Sequence, residues 1–356
     1  MASLPDSSTL TPSRKPLHKR LFSGLFATPL NAVLTALVVW MLLMMVPAAV
    51  EWLLLDATFS AGTAAQCRES TGACWAFIAH KHRLILFGIY PFDEQWRPML
   101  ASLILIVLVV CTCVRRFWRL WLAAVWVTAL FCAGVLMWGG VLGLTPVENR
   151  LWGGLPLTLM LATFGVAGAF PLGILLALGR RSELPAVKSL CVVYIELIRG
   201  VPLISLLFMS SVMLPLFLPE GVTIDKLLRA QIAIVLFAAA YVAETVRGGL
   251  QAIPKGQYEG AASLGLTYWQ SMGSVILPQA LRVVTGPLVG IFISLFKDTS
   301  LVMIIGIFDL TQATKAAIAD PQWQGFSTEA YLFIAAIYFV FCYAMSRYSR
   351  VLERTA

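Results

Sequence analysis

The stretch Gln257–Pro278, QYEGAASLGLTYWQSMGSVILP, is polar, punctuated by glycine, and set between two long apolar runs. The run before it, Ala230–Val246, and the run that continues from Val283 have the length and composition of membrane spans. The stretch therefore belongs at a membrane face. It reads as two short helices with a sharp break. Pro254 presets the backbone for a helix start, and Gly265 suits the left-handed residue that closes a first helix. Thr267 followed by Gln270 is a capping-box pattern that opens a second, which Pro278 is expected to end. Gly260, Ala261 and Ala262 let another surface approach the backbone closely, and Glu259 adds one charge beside them. Such a helix at the inner face of a membrane reads as a docking knob for a second subunit.

The rest of the chain agrees with a membrane setting. Hydrophobic residues make up 59% and charged residues 12% of the 356, with a mean hydropathy of +0.84. A soluble domain carries charge on about 25% of its residues. Eight apolar runs have spanning character: Asn31–Val50, Met99–Val114, Leu120–Leu142, Leu155–Leu178, Val192–Leu214, Ala230–Val246, Arg282–Ile305 and Ala330–Ser346. Lys and Arg accumulate in cytoplasmic loops. With the N-terminus inside, the cytoplasmic segments hold sixteen basic residues and the outer segments eight, although the outer set contains the longest loop. Both termini and the Gln257–Pro278 stretch are then predicted to face the cytoplasm. This asymmetry accounts for the net charge of +8 without a nucleic-acid partner.

The same stretch resembles the cytoplasmic coupling loop of ABC-importer permeases, whose pattern is Glu-Ala-Ala, three residues, Gly, nine residues, then Ile-x-Leu-Pro. Here the matching positions are Glu259, Gly260, Ala261, Gly265, Val275, Leu277 and Pro278. Gly260 replaces the first Ala and Val275 replaces Ile; the glycine loosens the helix by up to about 1 kcal/mol relative to Ala. The phrases YIELIRGVPL (Tyr194–Leu203), AETVRGGLQAIPKGQ (Ala243–Gln257) and FKDTSLVMIIG (Phe296–Gly306) resemble the polar amino-acid branch of that family. The likeness covers roughly residues 151–350, and the region before it resembles the extended permeases of general L-amino-acid systems.

The resemblance implies an all-α polytopic fold, a MetI-like five-helix core preceded by three extra helices. It also implies a second permease, two cytoplasmic ATPase subunits that hold ATP and Mg, and a periplasmic amino-acid-binding protein. No cofactor is expected on this chain. The layout reads as a cytoplasmic tail (1–30), an accessory transmembrane region with a large periplasmic loop (31–150), and a permease domain (151–350) with its coupling loop at 247–279. A cleaved signal peptide is disfavoured, because the first apolar run starts late and is long enough to span.

The candidate pathway residues are Lys297 and Asp298, which interrupt a long apolar run where each charge is costly unless it faces a cavity or a partner. A zwitterionic amino acid would match an ammonium and a carboxylate lining one route. Alternatively the pair neutralises charges on neighbouring helices, with Glu196 and Arg199 as the named partners. Thr299 and Ser300 can satisfy backbone groups freed by a broken helix. Glu196, Arg199, Gly200 and Pro202 mark a kink or helix start, read either as an interfacial anchor or as part of a gate. Glu244 and Arg247 are spaced to pair on one helix face.

Cys67 and Cys74, spaced as CRESTGAC in the outer loop, form a short disulfide or stay as two thiols. His80 and His82 lack further ligands nearby, so no metal site is expected. No phosphate-binding GxxxxGK[ST] loop, HExxH helix or GxSxG elbow is present. A subunit that transports only with a partner ATPase is the primary reading. A self-sufficient secondary transporter or channel for small polar solutes is the alternative, and it would have no need of a docking helix.

Overall fold

The structure, a computed structural model, describes residues 24–118, 121–141, 143–219 and 221–355. Most of the predicted cytoplasmic tail, with Arg14, Lys15, Lys19 and Arg20, lies outside them, as does Arg119. Contacts divide the chain into two units, residues 1–76 and 77–356.

The first unit contains α1 (Pro29–Val50), capped by Thr28, whose hydroxyl accepts from the Asn31 amide at 3.2 Å. Helix α1 runs on as one π turn, Glu51–Leu55, and is apolar all round, as a helix surrounded by lipid is. After it, α2 (Ala64–Arg68) and the bridged Cys67 and Cys74, Cα atoms 5.6 Å apart, fold back on the end of the span. The Trp75 indole donates to the Leu53 carbonyl at 2.9 Å and the Ala73 amide to the Trp52 carbonyl at 2.8 Å. Gly72 is required there, because a Cβ would lie 2.2 Å from the Asp56 carbonyl.

The second unit is a helical bundle. Its elements are α3 (Trp75–Phe87, described from Phe77), α4 (Trp96–Thr112), α5 (Trp121–Trp138), α6 (Gly154–Arg180), α7 (Pro185–Gly200) and α8 (Leu203–Phe208). They continue with α9 (Lys226–Ala252), α10 (Lys255–Ser263), α11 (Tyr268–Ser271), α12 (Leu277–Val283), α13 (Thr285–Asp298), α14 (Leu310–Ile318) and α15 (Ser327–Thr355). Helices α6 and α9 form the central pair. Small residues let them close: a Cβ on Gly168 would lie 3.0 Å from Val235, and one on Gly173 would lie 2.5 Å from Val242. Its buried side chains include two large clusters. One includes Trp152, Leu161, Ile234 and Phe296, the other Leu178, Val246, Leu250, Met272 and Ala280.

Contacts sort the loops into two ends, called inner and outer after the predicted orientation. At the inner end, residues 180–181, 196–199, 244–258 and 279 are joined by polar contacts. At the outer end, Lys81 meets Asp320, Glu94 accepts from Thr145, and the Gly154 amide donates to Phe308.

Among the described residues seven helices are long and apolar enough to cross a membrane, and a bent pair, counted as one span, raises the number to eight. That pair corrects the fifth expected span. Val192–Leu214 is not one rod: α7 and the segment Leu203–Phe217 meet at 103°. Val201 is extended (φ −109°, ψ 133°), as a residue before proline is pushed to be, and Pro202 offers no amide to continue the helix. The seventh run also breaks. Val284 leaves the helical region between α12 and α13, and from Thr299 to Ile305 the chain tightens into a 3-10 helix. Pro278 does not end the second short helix. It lies in the first turn of α12, joined to α11 by a π turn at Met272–Ile276 that absorbs its missing amide, while Gln279 Nε2 donates to the Val275 carbonyl at 2.7 Å.

Candidate functional site

The inner element is two helices locked at an angle by local chemistry. Pro254 is the N-cap of α10, and the helix closes through Gly265 at φ +73°. The Leu266 amide donates to the Ala261 carbonyl at 3.2 Å and the Gly265 amide to the Ala262 carbonyl at 2.9 Å, the paired bonds of a Schellman closure. Thr267 and Gln270 cap α11 reciprocally. Nothing lies within 4 Å of a Cβ built on Gly265 or Gly260. A side chain at 265 is therefore opposed by its backbone angle alone. Glu259, Gly260 and Ala262 are exposed, while Ala261 is buried and anchors the helix. Leu277 is half-buried and Pro278 exposed at the base of the element.

Sequence reasoning centred on the small residues and missed three large ones. Leu264 is 79% exposed and Trp269 is 69% exposed, with Tyr268 beside them, its ring edge-on to Trp269 at 5.3 Å. Apolar residues in a polar loop outside the spans were the available signal. Exposed together on a rigid turn, they form a greasy tip on a polar element.

Further contacts bind this tip to the bundle. Arg181 at the end of α6 donates to the Tyr258 hydroxyl at 2.9 Å and to the Leu250 carbonyl at 3.3 Å. The Tyr258 hydroxyl donates to the same carbonyl at 3.1 Å, and Gln279 donates to Gln257 at 3.0 Å. Above them sits an ionic lattice centred on Glu244. Its carboxylate pairs with Arg247 on its own helix, with Arg180 of α6 at 3.2 Å and with Arg199 of α7 at 3.8 Å. Arg180 also reaches Glu196 at 2.9 Å. Three helices are thus tied at the inner end by charge.

Glu196 and Arg199 therefore do not neutralise Lys297 and Asp298. Among the described residues no ion pair to a neighbouring helix closes on either of those two. Asp298 instead lines a cleft of about 400 Å³ with Phe237, Tyr241, Pro287, Gly290 and Ser294. Gly290, Ser294 and Asp298 follow at four-residue steps along one face of α13. Lys297 is exposed on a different side of that helix. Thr299 is buried and its hydroxyl donates to the Phe296 carbonyl at 2.8 Å, easing the change to the 3-10 helix; Ser300 is half-buried behind it. Arg199 approaches the cleft at Tyr241, its guanidinium 5.8 Å from the ring centroid. The volume falls in the usual range for small-molecule sites, about 300–1,000 Å³. Its wall is apolar with a few polar groups.

The sequence model of the family described as "Binding-protein-dependent transport system inner membrane component" matches residues 169–356. The inner membrane amino-acid ABC transporter permease protein YhdY of Escherichia coli (strain K12) is 51% identical over 337 residues, covering 93% of this chain and 90% of that protein. The glutamate/glutamine/aspartate/asparagine transport system permease protein BztC of Rhodobacter capsulatus is 38% identical over 405 residues, covering 95% of this chain and 92% of its own length. Among solved structures, a chain from the crystal structure of an amino acid ABC transporter with histidines matches at 34% identity and TM-score 0.51, covering 57% of this chain and 92% of that one. The chain belongs to the inner-membrane components of binding-protein-dependent transport systems, the multi-pass permeases of ABC importers.

Proposed function

We propose that this chain is the permease subunit of an importer that carries L-amino acids from the periplasm to the cytoplasm, driven by ATP hydrolysed on separate subunits. The observation that carries the reading is the exposed, doubly capped element Lys255–Val283, with Leu264 and Trp269 at its tip and Glu259 beside them. A chain moving solute unaided has no use for an apolar tip held rigid outside the membrane. Two ATPase subunits with their ATP and Mg dock on this element and on its counterpart in a second, related permease. A periplasmic binding protein delivers the amino acid to the outer end. The termini and the tip face the cytoplasm, in keeping with the basic-residue asymmetry. The tail (1–30), accessory region (31–150) and transport domain (151–350) are the working divisions.

The cleft supplies the route. Asp298 holds the substrate ammonium, Ser294 adds a hydroxyl, and Phe237 and Tyr241 exclude water. The amino-acid class rests on the named relatives, which are named as amino-acid transport proteins, and on one carboxylate without an ion pair to a neighbouring helix facing a cleft of suitable size. Uptake by the reconstituted assembly is the test. It should need the partner ATPase and show saturable competition among L-amino acids. Asp298→Asn should raise the half-saturating substrate concentration on the order of tenfold to a hundredfold, the worth of one charge-assisted hydrogen bond, with basal ATP hydrolysis kept. Uptake by this chain alone would restore the secondary-transporter reading, and unchanged affinity in Asp298→Asn would remove that residue from the route.

A further inference from the structure

Helix α3 lies outside the stretch that matches the family, which begins at residue 169, yet it packs on residues inside that stretch. Phe77 and Ile85 are fully buried, on one face with Ile78 and Lys81. Phe77 packs on Trp323 and on Phe326, ring centroids 6.1 Å apart in each case, and the His80 ring lies 4.8 Å from that of Trp323. Trp323 and Phe326 are 6% and 8% exposed in consequence, although they sit in a loop. Lys81 donates to one oxygen of Asp320, while the other oxygen accepts the Gln322 amide at 2.9 Å and so fixes the turn Pro321–Trp323.

The far end of α3 is fastened too. Gly154 passes the Leu86 carbonyl so closely that a Cβ would lie 2.1 Å from it, and the Gly154 amide donates to the Phe308 carbonyl at 2.9 Å. One helix thus grips the family domain just after α14, and through Gly154 it is linked to Phe308 just before it. The enclosed helix α14 is capped by Asp309, buried, which accepts from the Thr311 and Gln312 amides at 3.0 and 2.9 Å.

We propose that α3 is a strap that holds the outer segment Gly306–Phe326 in a single shape, with Phe77 and Lys81 as positioning residues, and that this shape is the one the periplasmic binding protein meets. The inference rests on the permease reading for its partner, but its geometry stands without it. A loop ordered in advance costs a partner less to engage. If only a fraction of molecules carries the strapped shape, apparent affinity falls by that fraction while the rate of the bound state is untouched. Loosening the strap should therefore act on the concentration of binding protein needed, and leave basal ATP hydrolysis and the stimulated maximum alone.

The test uses the complete assembly in lipid nanodiscs, with nitroxide labels at Ala79→Cys and Gln322→Cys after replacement of the five free cysteines. Lys81→Asp and Asp320→Lys, each alone, should broaden the 79–322 distance distribution. Each should also raise the binding-protein concentration for half-maximal stimulation by roughly two- to fivefold, the reach of a partly exposed ion pair. The double exchange should restore both readings, which a general folding defect would not do. Unaltered distances in both single variants would overturn the strap. Broadened distances with an unchanged half-maximal concentration would overturn its positioning role. The distances are read without transport, so a native assembly that fails to hydrolyse ATP would count against the permease reading while the strap is still judged by its own measurement.

Discussion

The two ends of the bundle are held by different means. At the inner end, short-range signals build the element Lys255–Val283, and charges from three helices converge on Glu244. At the outer end, one helix lies across a distant loop, and the Lys81–Asp320 ion pair joins residues 239 positions apart. The inner element leaves Leu264 and Trp269 in solvent, whereas the outer one buries Trp323 and Phe326. A tip kept rigid and uncovered is prepared for a partner; a loop covered by its own chain has its shape set in advance.

The contrast breaks first at Glu244. Glu244→Gln leaves Arg180, Arg199 and Arg247 without their common carboxylate and should destabilise the inner end by on the order of 2 kcal/mol, less than a fully buried pair loses. A fall in the thermal midpoint and in assembled complex checks this, and a midpoint within one degree of the native value would show that the lattice holds nothing. Next is Gly265. A left-handed angle costs a side chain about 1–2 kcal/mol, so Gly265→Val should lower coupled uptake roughly tenfold while the subunit still inserts. Since no atom crowds the site, Gly265→Asn, which tolerates that angle, should recover most of the activity. Equal loss in both variants would place the fault in contact rather than in backbone shape.

The outer end sharpens the comparison through pH. Burial outweighs the amide hydrogen bonds and pushes the Asp309 carboxyl up to about 6. A carboxyl raised in the folded state favours the fold while protonated. That contribution is complete below about pH 4 and is lost as pH rises through about 6. The thermal midpoint should therefore climb from pH 7 to pH 5, and the climb should shrink in Asp309→Asn, which keeps a good cap. Identical slopes would clear Asp309 of the effect. The smallest change concerns Cys67 and Cys74. Unfolded, unreduced chain should label at five cysteines and reduced chain at seven, with uptake nearly untouched by reduction. Seven labels without reductant would contradict the bridge.

These two ends also differ in how far the sequence discloses them. The capping residues Thr267 and Gln270 and the closing Gly265 act within a few positions of one another, so their pattern is visible in a single line of residues. Hydropathy likewise finds the spans, because lipid imposes a length and a composition on each helix. It fails at Val201–Pro202, since an average over a window records how apolar a run is and not which way it points. The Arg180–Glu196 pair, the Arg181–Tyr258 brace and the packing of Phe77 on Trp323 depend on helices meeting in space, and no local pattern encodes them. Asp298 was legible as a charge out of place, but its cleft came into view only with Tyr241 and Ser294 from two different helices.

The central claim is that the tip around Leu264 is the surface a cytoplasmic ATPase grips. A photo-crosslinking amino acid placed at Leu264, and separately at Phe339, exposed midway along the last span, tests it in the intact membrane. The account predicts an adduct of this chain with the ATPase from position 264, lost in Gly265→Val, and none from position 339. Full ATP-driven uptake with no adduct at 264 would contradict it.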